Sequence, residues 1–587
     1  MSVSRPEPAY RVLRDLAVPL RDGARLATDV YLPEGGGPWP VLLARTPYGK
    51  GDVFQSQFIL SMQFADAITE GFAVVIQDTR GRGGSEGSFT PFADERDDGY
   101  DTLEWIVSQS FSDGNVVMFG ASYVGATQWA AAASGHPALR AIAPVLTSPR
   151  FREDWVLPGG AFHLAFQLQW AFEALAPVEA QRRDWDGAGA GAAAALLREM
   201  RRDPASAFAR RPLLDEPLLT VAPYFGSWLR RPGEPQDRLP AGPALPDGAT
   251  PLPALHVLGW NDLFAHGGLR AFERAIAPGA PAAEHQYLIA GPWSHGNMSD
   301  WQGDTWHGYD SSGAGADVQG DQLRLAAAVV AGERPDLPRV RYFTSGINRW
   351  RTSETWPLEG IGTRELRLGA DGALRSPDAP PGAEDVDARP DPAVDRWIAF
   401  TSDPENPVPS VGGPSFLPGL LQGRNSGPMD QREVESRDDV LLFTSQPLPA
   451  PMQVTGIARL DFWGACDRED CDWSVRLCDV DAAGVSRVIA DGHLRSRFRD
   501  AHERGLEPGV PERFSVELSP TSHVFASGHR LRLQITGSNF PRYDVNPHRM
   551  VPIPVARPHD YVRATQHVVI APGREARLLL PVLTPER

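Results

Sequence analysis

Asn115-Val-Val-Met-Phe-Gly-Ala-Ser-Tyr-Val-Gly125 decides the fold of this 587-residue chain. The stretch contains four consecutive apolar residues, as a buried strand does, and ends in the pattern G-x-S-x-G around Ser122. A helix-forming run, Ala126-Thr-Gln-Trp-Ala-Ala-Ala-Ala133, follows at once. A serine on a sharp turn between strand and helix is the nucleophile elbow of a serine hydrolase, because the turn holds the hydroxyl clear of the sheet. The alternative is an ordinary glycine-rich turn.

Two later stretches supply the acid and the base that such a nucleophile needs. Leu255-His-Val-Leu-Gly-Trp-Asn-Asp262 is a short apolar strand that ends at an aspartate, and Gln286-Tyr-Leu-Ile-Ala-Gly-Pro-Trp-Ser-His295 repeats this form with a histidine. The order Ser, Asp, His is that of α/β-hydrolases, and open α/β sheets place their chemistry at the carboxyl ends of parallel strands. We therefore predict a catalytic triad of Ser122, Asp262 and His295. The alternatives are a carboxylate in a turn and a packed histidine.

Short apolar strands alternate with helical patterns in the first part of the chain. Pro40–Ala44, Ala73–Ile76 and Val116–Phe119 have strand length, and Gln55–Ile68 is typical of a helix. This alternation predicts βαβ units and a mostly parallel sheet.

The pattern changes twice further along. From 149 to 248 it becomes helical and irregular, and an insertion between nucleophile and acid is most simply a cap over the pocket. Beyond 358 apolar and polar residues alternate, as in Trp473-Ser-Val-Arg-Leu477, which is typical of half-buried antiparallel strands. The predicted domains are an α/β-hydrolase core at 1–148 and 249–358, a helical cap at 149–248 and a β-sandwich at 359–587.

Six motifs occur in an order that resembles the CocE/NonD hydrolase family, whose relatives include X-Pro dipeptidyl peptidases, α-amino-acid ester hydrolases and β-lactam acylases. The resemblance covers nearly the whole chain and implies an α/β-hydrolase core, a helical cap and a C-terminal jelly roll. The motifs are Arg45-Thr-Pro-Tyr-Gly49, Val74-Val-Ile-Gln-Asp-Thr-Arg-Gly-Arg82, the elbow, Gly259-Trp-Asn-Asp262, Gly291-Pro-Trp-Ser-His295 and Ser538-Asn-Phe-Pro-Arg-Tyr-Asp544.

A tetrahedral intermediate needs prearranged donors for its oxyanion. The residue after the nucleophile commonly gives a backbone N–H, which here is Tyr123. The loop after the first core strand has no HGGG-type glycine run, and the family resemblance implies that the phenol of Tyr48 is the second donor. The alternative for Tyr48 is a packed tyrosine in a proline turn.

The family resemblance also implies an aromatic acyl pocket, which would favour apolar or aromatic acyl groups. Each of these residues could equally be ordinary core. The candidates are Trp155 and Trp170 from the cap, Phe264 after the acid, and Phe416 and Leu417 from the sandwich.

An amino-acyl preference is weakened by the residues that follow the acid. The α-amino-acid ester hydrolases carry acidic residues there to hold a substrate ammonium, whereas this chain has Leu263, Phe264 and Ala265. Glu153 and Asp154 in the cap are the alternative residues that could bind an ammonium group.

A glycine-rich stretch, Gly81-Arg-Gly-Gly-Ser-Glu-Gly87, follows the second core strand. It lacks the lysine and the spacing of a phosphate-binding P-loop. We interpret it as a turn that supports the active-site face, with a structural ion pair between Asp78 and Arg80.

The net charge of the chain argues against some classes of binding partner. With 74 acidic and 57 basic residues the net charge is −17, which argues against nucleic acid and anionic membranes. The N-terminus lacks a secretory pattern and no apolar run could span a bilayer, so we expect a cytoplasmic protein. The three cysteines, Cys466, Cys471 and Cys478, are expected to be reduced. We expect no metal and no cofactor, and the family resemblance favours a homo-oligomer such as a dimer.

These features predict a serine carboxylester hydrolase that acts on a small-molecule ester through an acyl-enzyme intermediate. The nearest alternative is a dipeptidyl peptidase or amide acylase with the same triad, because the leaving group is not encoded in the triad. A non-catalytic carbohydrate-binding protein is a third hypothesis, since jelly rolls often bind sugars.

Overall fold

The computed structural model describes residues 10–51, 61–176, 222–230, 251–377, 396–415, 426–500 and 502–583, with scattered residues between 191 and 213. Among the described residues the strands form two large sheets and one small hairpin.

Ten strands form the first sheet among the described residues: β1 (Tyr10–Pro19), β2 (Arg25–Pro33), β3 (Trp39–Thr46), β4 (Ala73–Asp78), β5 (Ser112–Ala121), β6 (Leu139–Val145), β7 (Ala254–Asn261), β8 (Gln286–Ser294), β11 (Val340–Thr344) and β12 (Arg349–Ser353). Their order across the sheet is β1-β2-β4-β3-β5-β6-β7-β8-β11-β12. Neighbours from β4 to β11 run parallel, and the edge pairs are antiparallel. Its interior strands are buried along almost their whole length, as expected for a parallel sheet covered on both faces. The separate hairpin is formed by β9 (Trp301–Gln302) and β10 (Thr305–Trp306).

Helices cover both faces of this sheet, as the alternating pattern predicts. Of the helix expected over 55–68, residues 55–60 lie outside the described part of the chain. The described part is helical over Phe64–Thr69, and before it Ser61 has a left-handed φ of 55° and Gln63 is extended. The helices of the core are α1 (Phe64–Thr69), α2 (Glu95–Ser108), α3 (Tyr123–Ala133), α6 (Ala265–Ala275) and α7 (Val318–Ala331), and those of the cap are α4 (Leu164–Gln169) and α5 (Pro223–Arg230). Two π-helical segments, Phe151–Val156 and Trp170–Leu175, flank α4.

The second sheet belongs to the C-terminal β-sandwich. Period-two alternation places Trp473, Val475 and Leu477 in its core, although the central strand is buried on both faces. One short helix, α8 (Arg432–Glu435), accompanies the strands. The strands are β13 (Ile361–Leu368), β14 (Ala373–Arg375), β15 (Arg396–Ser402), β16 (Leu441–Ser445), β17 (Met452–Gly456), β18 (Arg459–Cys466), β19 (Asp472–Val480), β20 (Ser486–Arg495), β21 (Glu512–Glu517), β22 (Thr521–Phe525), β23 (Arg530–Thr536), β24 (Ala564–Ile570) and β25 (Arg577–Leu583).

A segment of the sandwich fixes the position of the cap. The backbone N–H of Phe162 donates to Asp544 Oδ1 at 2.7 Å, and the N–H of Ala165 donates to the Pro541 carbonyl at 3.0 Å. Buried Arg495 donates to both carboxylate oxygens of Asp544 at 3.0 Å. A charge-assisted pair of this kind has defined geometry, so the sandwich sets where α4 lies over the first sheet.

The predicted ion pair between Asp78 and Arg80 is wrong. The Arg80 guanidinium instead contacts the carboxylates of Asp98 at 2.6 Å and Asp22 at 2.7 Å, because its side chain turns towards α2. The Asp78 carboxylate accepts backbone N–H groups from the loop after β3 and from the glycine-rich turn.

Three further features bear on the predicted class of protein. The cysteines Cys466, Cys471 and Cys478 are buried free thiols. Within the described ranges no helix is both long and apolar enough to cross a membrane. The same ranges hold no group of three or more His, Cys, Asp or Glu side chains placed to bind a metal ion. The limits of the three predicted domains stay predictions.

Candidate active site

Ser122 lies on a strained turn between β5 and α3. Its φ of 56° and ψ of −125° are unusual for a residue with a side chain. Gly125 allows the turn to close, because a Cβ there would lie 2.4 Å from the Thr147 side chain. A non-glycine residue held in such a conformation stores strain that the surrounding structure must compensate. The strand, the elbow and the helix are therefore arranged as G-x-S-x-G predicts.

The structure brings Ser122, His295 and Asp262 into one hydrogen-bonded series. His295 Nε2 lies 3.1 Å from Ser122 Oγ, and His295 Nδ1 lies 2.8 Å from Asp262 Oδ2. All three side chains are buried. The serine follows β5, the aspartate follows β7 and the histidine follows β8, so the carboxyl ends of three parallel strands converge on one point.

The second oxygen of Asp262 has its own partner. The backbone N–H of Phe264 donates to Asp262 Oδ1 at 2.7 Å, which leaves Oδ2 for the histidine. This division fixes the carboxylate plane, because each oxygen accepts in a different direction. The imidazole is thereby oriented with Nδ1 towards the acid and Nε2 towards Ser122.

Tyr48 lies beside Ser122 in the loop after β3. The indole Nε1 of Trp170 donates to the Tyr48 hydroxyl oxygen, with 3.1 Å between the two atoms, and Ser122 also interacts with this phenol. Burial raises the pKa of Tyr48 to about 12. The phenol is therefore neutral at ordinary pH and retains a proton to donate.

Tyr123 begins α3, and its side chain points into the core. Its hydroxyl donates to Glu95 Oε1 at 2.8 Å and accepts from the N–H of Phe92 at 2.9 Å. Arg45 pairs with the other Glu95 oxygen at 2.8 Å, while burial raises the pKa of the Glu95 carboxyl. The first N–H groups of a helix have no intrahelical acceptor, so the backbone of Tyr123 offers a donor next to the nucleophile.

Three of the five residues predicted for the acyl pocket lie in one buried aromatic cluster. The Phe264 ring is 5.1 Å from the His295 ring and 4.1 Å from the Trp155 ring, centroid to centroid. Trp155 has no exposed surface, so it supports Phe264 from behind. Trp170 belongs to the same cluster and is also the partner of Tyr48.

Two aromatic residues near the site were not predicted from the sequence. Phe166 on α4 stacks on Trp170, with ring centroids 5.7 Å apart, and lies 6.4 Å from the His295 ring. Phe540 of the sandwich packs against the cluster. The motif that contains Phe540 is visible in the sequence, although nothing in it reveals where the ring points.

The sandwich residues predicted for the pocket, Phe416 and Leu417, lie outside the described residues.

The two acids proposed as an ammonium site differ in their surroundings. The carboxylate of Asp154 is buried and accepts the hydroxyl hydrogen bond of Ser148 at 2.5 Å. It also lies where a Cβ on Gly267 would collide with it, at 2.0 Å. Asp154 is thus packed against α6. Glu153 is half-buried and lies 3.7 Å from Arg150.

This fold and this series of side chains define a serine hydrolase of the α/β-hydrolase class. Residues 22–297 match the model of the X-Pro dipeptidyl-peptidase (S15) family, and residues 334–579 match the X-Pro dipeptidyl-peptidase C-terminal non-catalytic domain. The chain is 34% identical over 585 residues to cocaine esterase of Rhodococcus sp. (strain MB1 Bresler), covering 98% of this chain and 99% of the relative. It belongs to the CocE/NonD hydrolases of the S15 family.

Solved structures agree with this placement. An aminopeptidase from a marine sediment Thaumarchaeota archaeon aligns with a TM-score of 0.80 at 25% identity, covering 98% of this chain and 97% of the other. An α-amino acid ester hydrolase aligns with a TM-score of 0.74 at 25% identity, covering 99% and 98%. A CocE/NonD family hydrolase from Staphylococcus aureus shares the fold, with a TM-score of 0.69 at 16% identity over 98% and 94%. The protein is accordingly an enzyme, a serine hydrolase acting on ester bonds.

Proposed function

We propose that this protein is a carboxylester hydrolase in which Ser122, His295 and Asp262 form the catalytic triad. The observation that carries the proposal is the hydrogen-bonded series from Ser122 Oγ through the imidazole to Asp262, with the serine on a strained elbow. The resemblance to cocaine esterase over nearly the whole chain supports an ester as the substrate.

In the first half of the reaction Ser122 Oγ attacks the acyl carbonyl while His295 Nε2 takes the serine proton. Asp262 holds the tautomer with the proton on Nδ1 and stabilises the imidazolium that forms. His295 then gives the proton to the departing alkoxide, and an acyl group remains on Ser122. In the second half a water molecule replaces the alcohol, and the same groups act in reverse to release the acid.

The tetrahedral intermediates place a negative charge on the former carbonyl oxygen, and we assign Tyr48 and the backbone N–H of Tyr123 to stabilise it. An indole nitrogen is a donor only, so Trp170 occupies an acceptor position of the Tyr48 oxygen and leaves the phenol proton to point elsewhere. The phenol also interacts with the side chain of Ser122, so the Tyr48 hydroxyl lies beside the nucleophile. Each such donor contributes about 3 kcal/mol of transition-state stabilisation.

An apolar or aromatic acyl group fits the side chains around the nucleophile best. Phe264 and Phe166 lie edge-on to His295, and Trp170 stacks on Phe166. Aromatic rings in these orientations attract a further ring through their quadrupoles. We therefore assign Trp170 and Phe264 to the acyl pocket, with Trp155 supporting Phe264 from behind, and add Phe166 and Phe540. Phe416 and Leu417 stay predictions.

The proposal is tested by the ratio of kcat/KM for p-nitrophenyl butyrate to kcat/KM for Xaa-Pro and aminoacyl p-nitroanilides. We expect the ester to be preferred by on the order of 100-fold or more, because an amine must be protonated as it leaves whereas a phenolate departs unaided. Comparable rates on an anilide would contradict ester specificity, and Ser122→Ala controls for hydrolysis outside this site.

A second candidate function is cleavage of amides or aminoacyl esters with the same triad. The S15 family match and the similarity to an aminopeptidase and to an α-amino acid ester hydrolase favour it. An ammonium group needs a carboxylate in the pocket, and Asp154 is already bonded to Ser148. Glu153 is the remaining acid of the predicted pair. Efficient anilide cleavage that Glu153→Gln abolishes, while ester cleavage persists, would establish this candidate.

Tyr48→Phe is expected to lower kcat by about 100- to 1000-fold with little change in KM. The substitution keeps the ring and removes the phenol proton that is assigned to the oxyanion. KM changes little because the oxyanion is absent from the bound substrate and forms only as the serine attacks. Steady-state kinetics on p-nitrophenyl butyrate measure both constants. Tyr342→Phe is the matched control, because Tyr342 is also a buried tyrosine but lies on β11 and has no role in the site. A rise in KM alone would remove Tyr48 from the oxyanion site.

The homodimer and the cytoplasmic location expected from the sequence stay predictions. We propose that two copies of this chain associate in solution, as the family resemblance suggests, and sedimentation of the purified protein tests the dimer. Neither nucleic acid nor a membrane is part of the proposed function.

A further inference from the structure

The glycine-rich turn 81–87 is built against the loop that carries Tyr48. Asp78 joins the two: its Oδ1 accepts the N–H of Lys50 at 2.6 Å and its Oδ2 accepts the N–H of Gly84 at 3.0 Å. Gly83 has a φ of 48°, and a Cβ there would lie 2.1 Å from Asp78 Oδ2. Only glycine at position 83 therefore lets the Asp78 carboxylate approach the turn. This contact explains one of the glycines of the 81–87 stretch, which has no part in the chemistry of the triad.

Arg82 extends from this turn into the core and is fully buried. Its Nε donates to the Pro47 carbonyl at 2.6 Å, and its Nη2 donates to the Leu175 carbonyl at 2.7 Å. The guanidinium also lies 4.6 Å from the centre of the Phe89 ring. A planar fork with several donors can hold two acceptors at a fixed separation, which a lysine cannot do.

The two carbonyls that Arg82 contacts belong to the two segments that the hydrogen bond between Trp170 and Tyr48 joins. Pro47 immediately precedes Tyr48, and Leu175 ends the π-helical segment that Trp170 begins. Trp170 is the residue whose indole donates to the Tyr48 hydroxyl. One guanidinium thus fixes both the backbone that carries the phenol and the helix that carries its indole partner.

We propose that Arg82 is the positioning residue of the oxyanion site, and that it acts by holding Tyr48 and Trp170 at the separation that directs the phenol proton towards the substrate. The inference rests on the proposed oxyanion role of Tyr48. Arg82 itself touches neither the substrate nor the reacting atoms.

The positive charge of Arg82 also supports its proposed role in the oxyanion site. Burial raises the pKa of Tyr48, and the neighbouring positive charge of Arg82 opposes that rise. A cation that makes negative charge more favourable at the phenol does the same for an oxyanion that the phenol binds, because Coulomb interactions are strong where water is excluded. Arg82 therefore favours the transition state through its charge as well as through geometry.

The test is a double-mutant cycle with Arg82→Met and Tyr48→Phe, measured as kcat on p-nitrophenyl butyrate. We expect Arg82→Met to lower kcat by about 10- to 100-fold with KM nearly unchanged. In the Tyr48→Phe background the same change should cost less than about 3-fold, because residues that act as a unit are not additive. Arg82→Lys, which keeps the charge and loses the fork, should fall between Met and wild type.

A variant that lowers kcat only by destabilising the fold would lose the same factor in kcat with and without Tyr48→Phe. Arg476→Met is the matched control, since Arg476 is also fully buried and donates to a backbone carbonyl, at 3.2 Å from Pro409 O, but lies in the sandwich. Its effect on kcat should be the same with and without Tyr48→Phe. If Arg82→Met does not fold, as judged by thermal unfolding, Arg82→Lys takes its place in the cycle.

Two results would overturn the inference in distinguishable ways. Equal losses from the Arg82 change in both backgrounds would show that Arg82 supports the fold and not Tyr48. An unchanged kcat in Tyr48→Phe alone would instead refute the oxyanion role on which the inference rests, whatever Arg82 does.

Discussion

Replacing Ser122 with alanine is expected to lower kcat for p-nitrophenyl butyrate by about 10⁶-fold while leaving the fold intact. The loss is large because the change removes the atom that forms the covalent bond, and His295 then has no hydroxyl to activate. Rates are measured at saturating ester, and circular dichroism with thermal unfolding checks the fold. Alanine carries a Cβ as serine does, so the strained φ at residue 122 is retained and the variant should be about as stable as the wild type.

Ser134→Ala is the matched control for this change. Ser134 caps the other end of α3, where its hydroxyl donates to the Ala131 carbonyl at 2.6 Å, and it takes no part in the site. Its kcat should equal that of the wild type. Retention of more than a few per cent of activity by Ser122→Ala, with background hydrolysis subtracted, would contradict the nucleophile assignment.

The second large effect is expected for Asp262→Asn, with a fall in kcat of about 10⁴-fold. The amide has nearly the shape of the carboxylate, yet it can place an N–H where Oδ2 now accepts from His295 Nδ1. The imidazole would then carry its proton on Nε2 and could not accept the proton of Ser122. The measurement is kcat as a function of pH, because the residual activity should depend on hydroxide more steeply than that of the wild type.

Asp321→Asn controls for the loss of a buried carboxylate. Asp321 lies on α7 and contacts Arg324 and Arg341, away from the three strand ends. We expect this change to reduce thermal stability with kcat unchanged. A fall in kcat of less than about 10-fold in Asp262→Asn would show that the carboxylate is not needed to orient the histidine.

The parts of the fold that follow from local pattern could be predicted from the sequence. Apolar runs before Ser122, Asp262 and His295 become β5, β7 and β8, which run parallel in the first sheet with β6 between β5 and β7. Their carboxyl ends therefore lie at the same edge of the sheet. The geometry of the site therefore follows from the order of three strand ends. The period-two pattern around Trp473 likewise predicts the sandwich.

Contacts between distant segments could not be predicted in the same way. The hydrogen bond from Trp170 to Tyr48 and those from Arg82 to Pro47 and Leu175 depend on how the cap lies over the sheet. No periodicity encodes that placement. The wrong pairing of Arg80 with Asp78 has the same origin, because the Asp98 carboxylate that Arg80 contacts lies on α2, and nothing in the local sequence indicates where α2 packs.

Pocket residues show the same limit. Trp155 and Trp170 are both buried tryptophans of the cap. Only the structure shows that Trp155 supports Phe264, whereas Trp170 also contacts Tyr48 in the loop after β3. Phe540 reaches the aromatic cluster from a different sheet. Such a residue is found by tracing the chain in space, because its neighbours in sequence say nothing about the cap.

The most direct test of the account is to locate the covalent adduct formed with an aryl alkylphosphonate that carries a p-nitrophenyl leaving group. The enzyme is inactivated with the reagent, digested, and sequenced by tandem mass spectrometry, with Ser122→Ala treated in parallel. We predict a phosphonylated Ser122 whose extent of modification matches the loss of esterase activity, and no adduct at that peptide in the variant. Inactivation that tracks modification of a different residue, or full activity with Ser122 modified, would contradict the proposed mechanism.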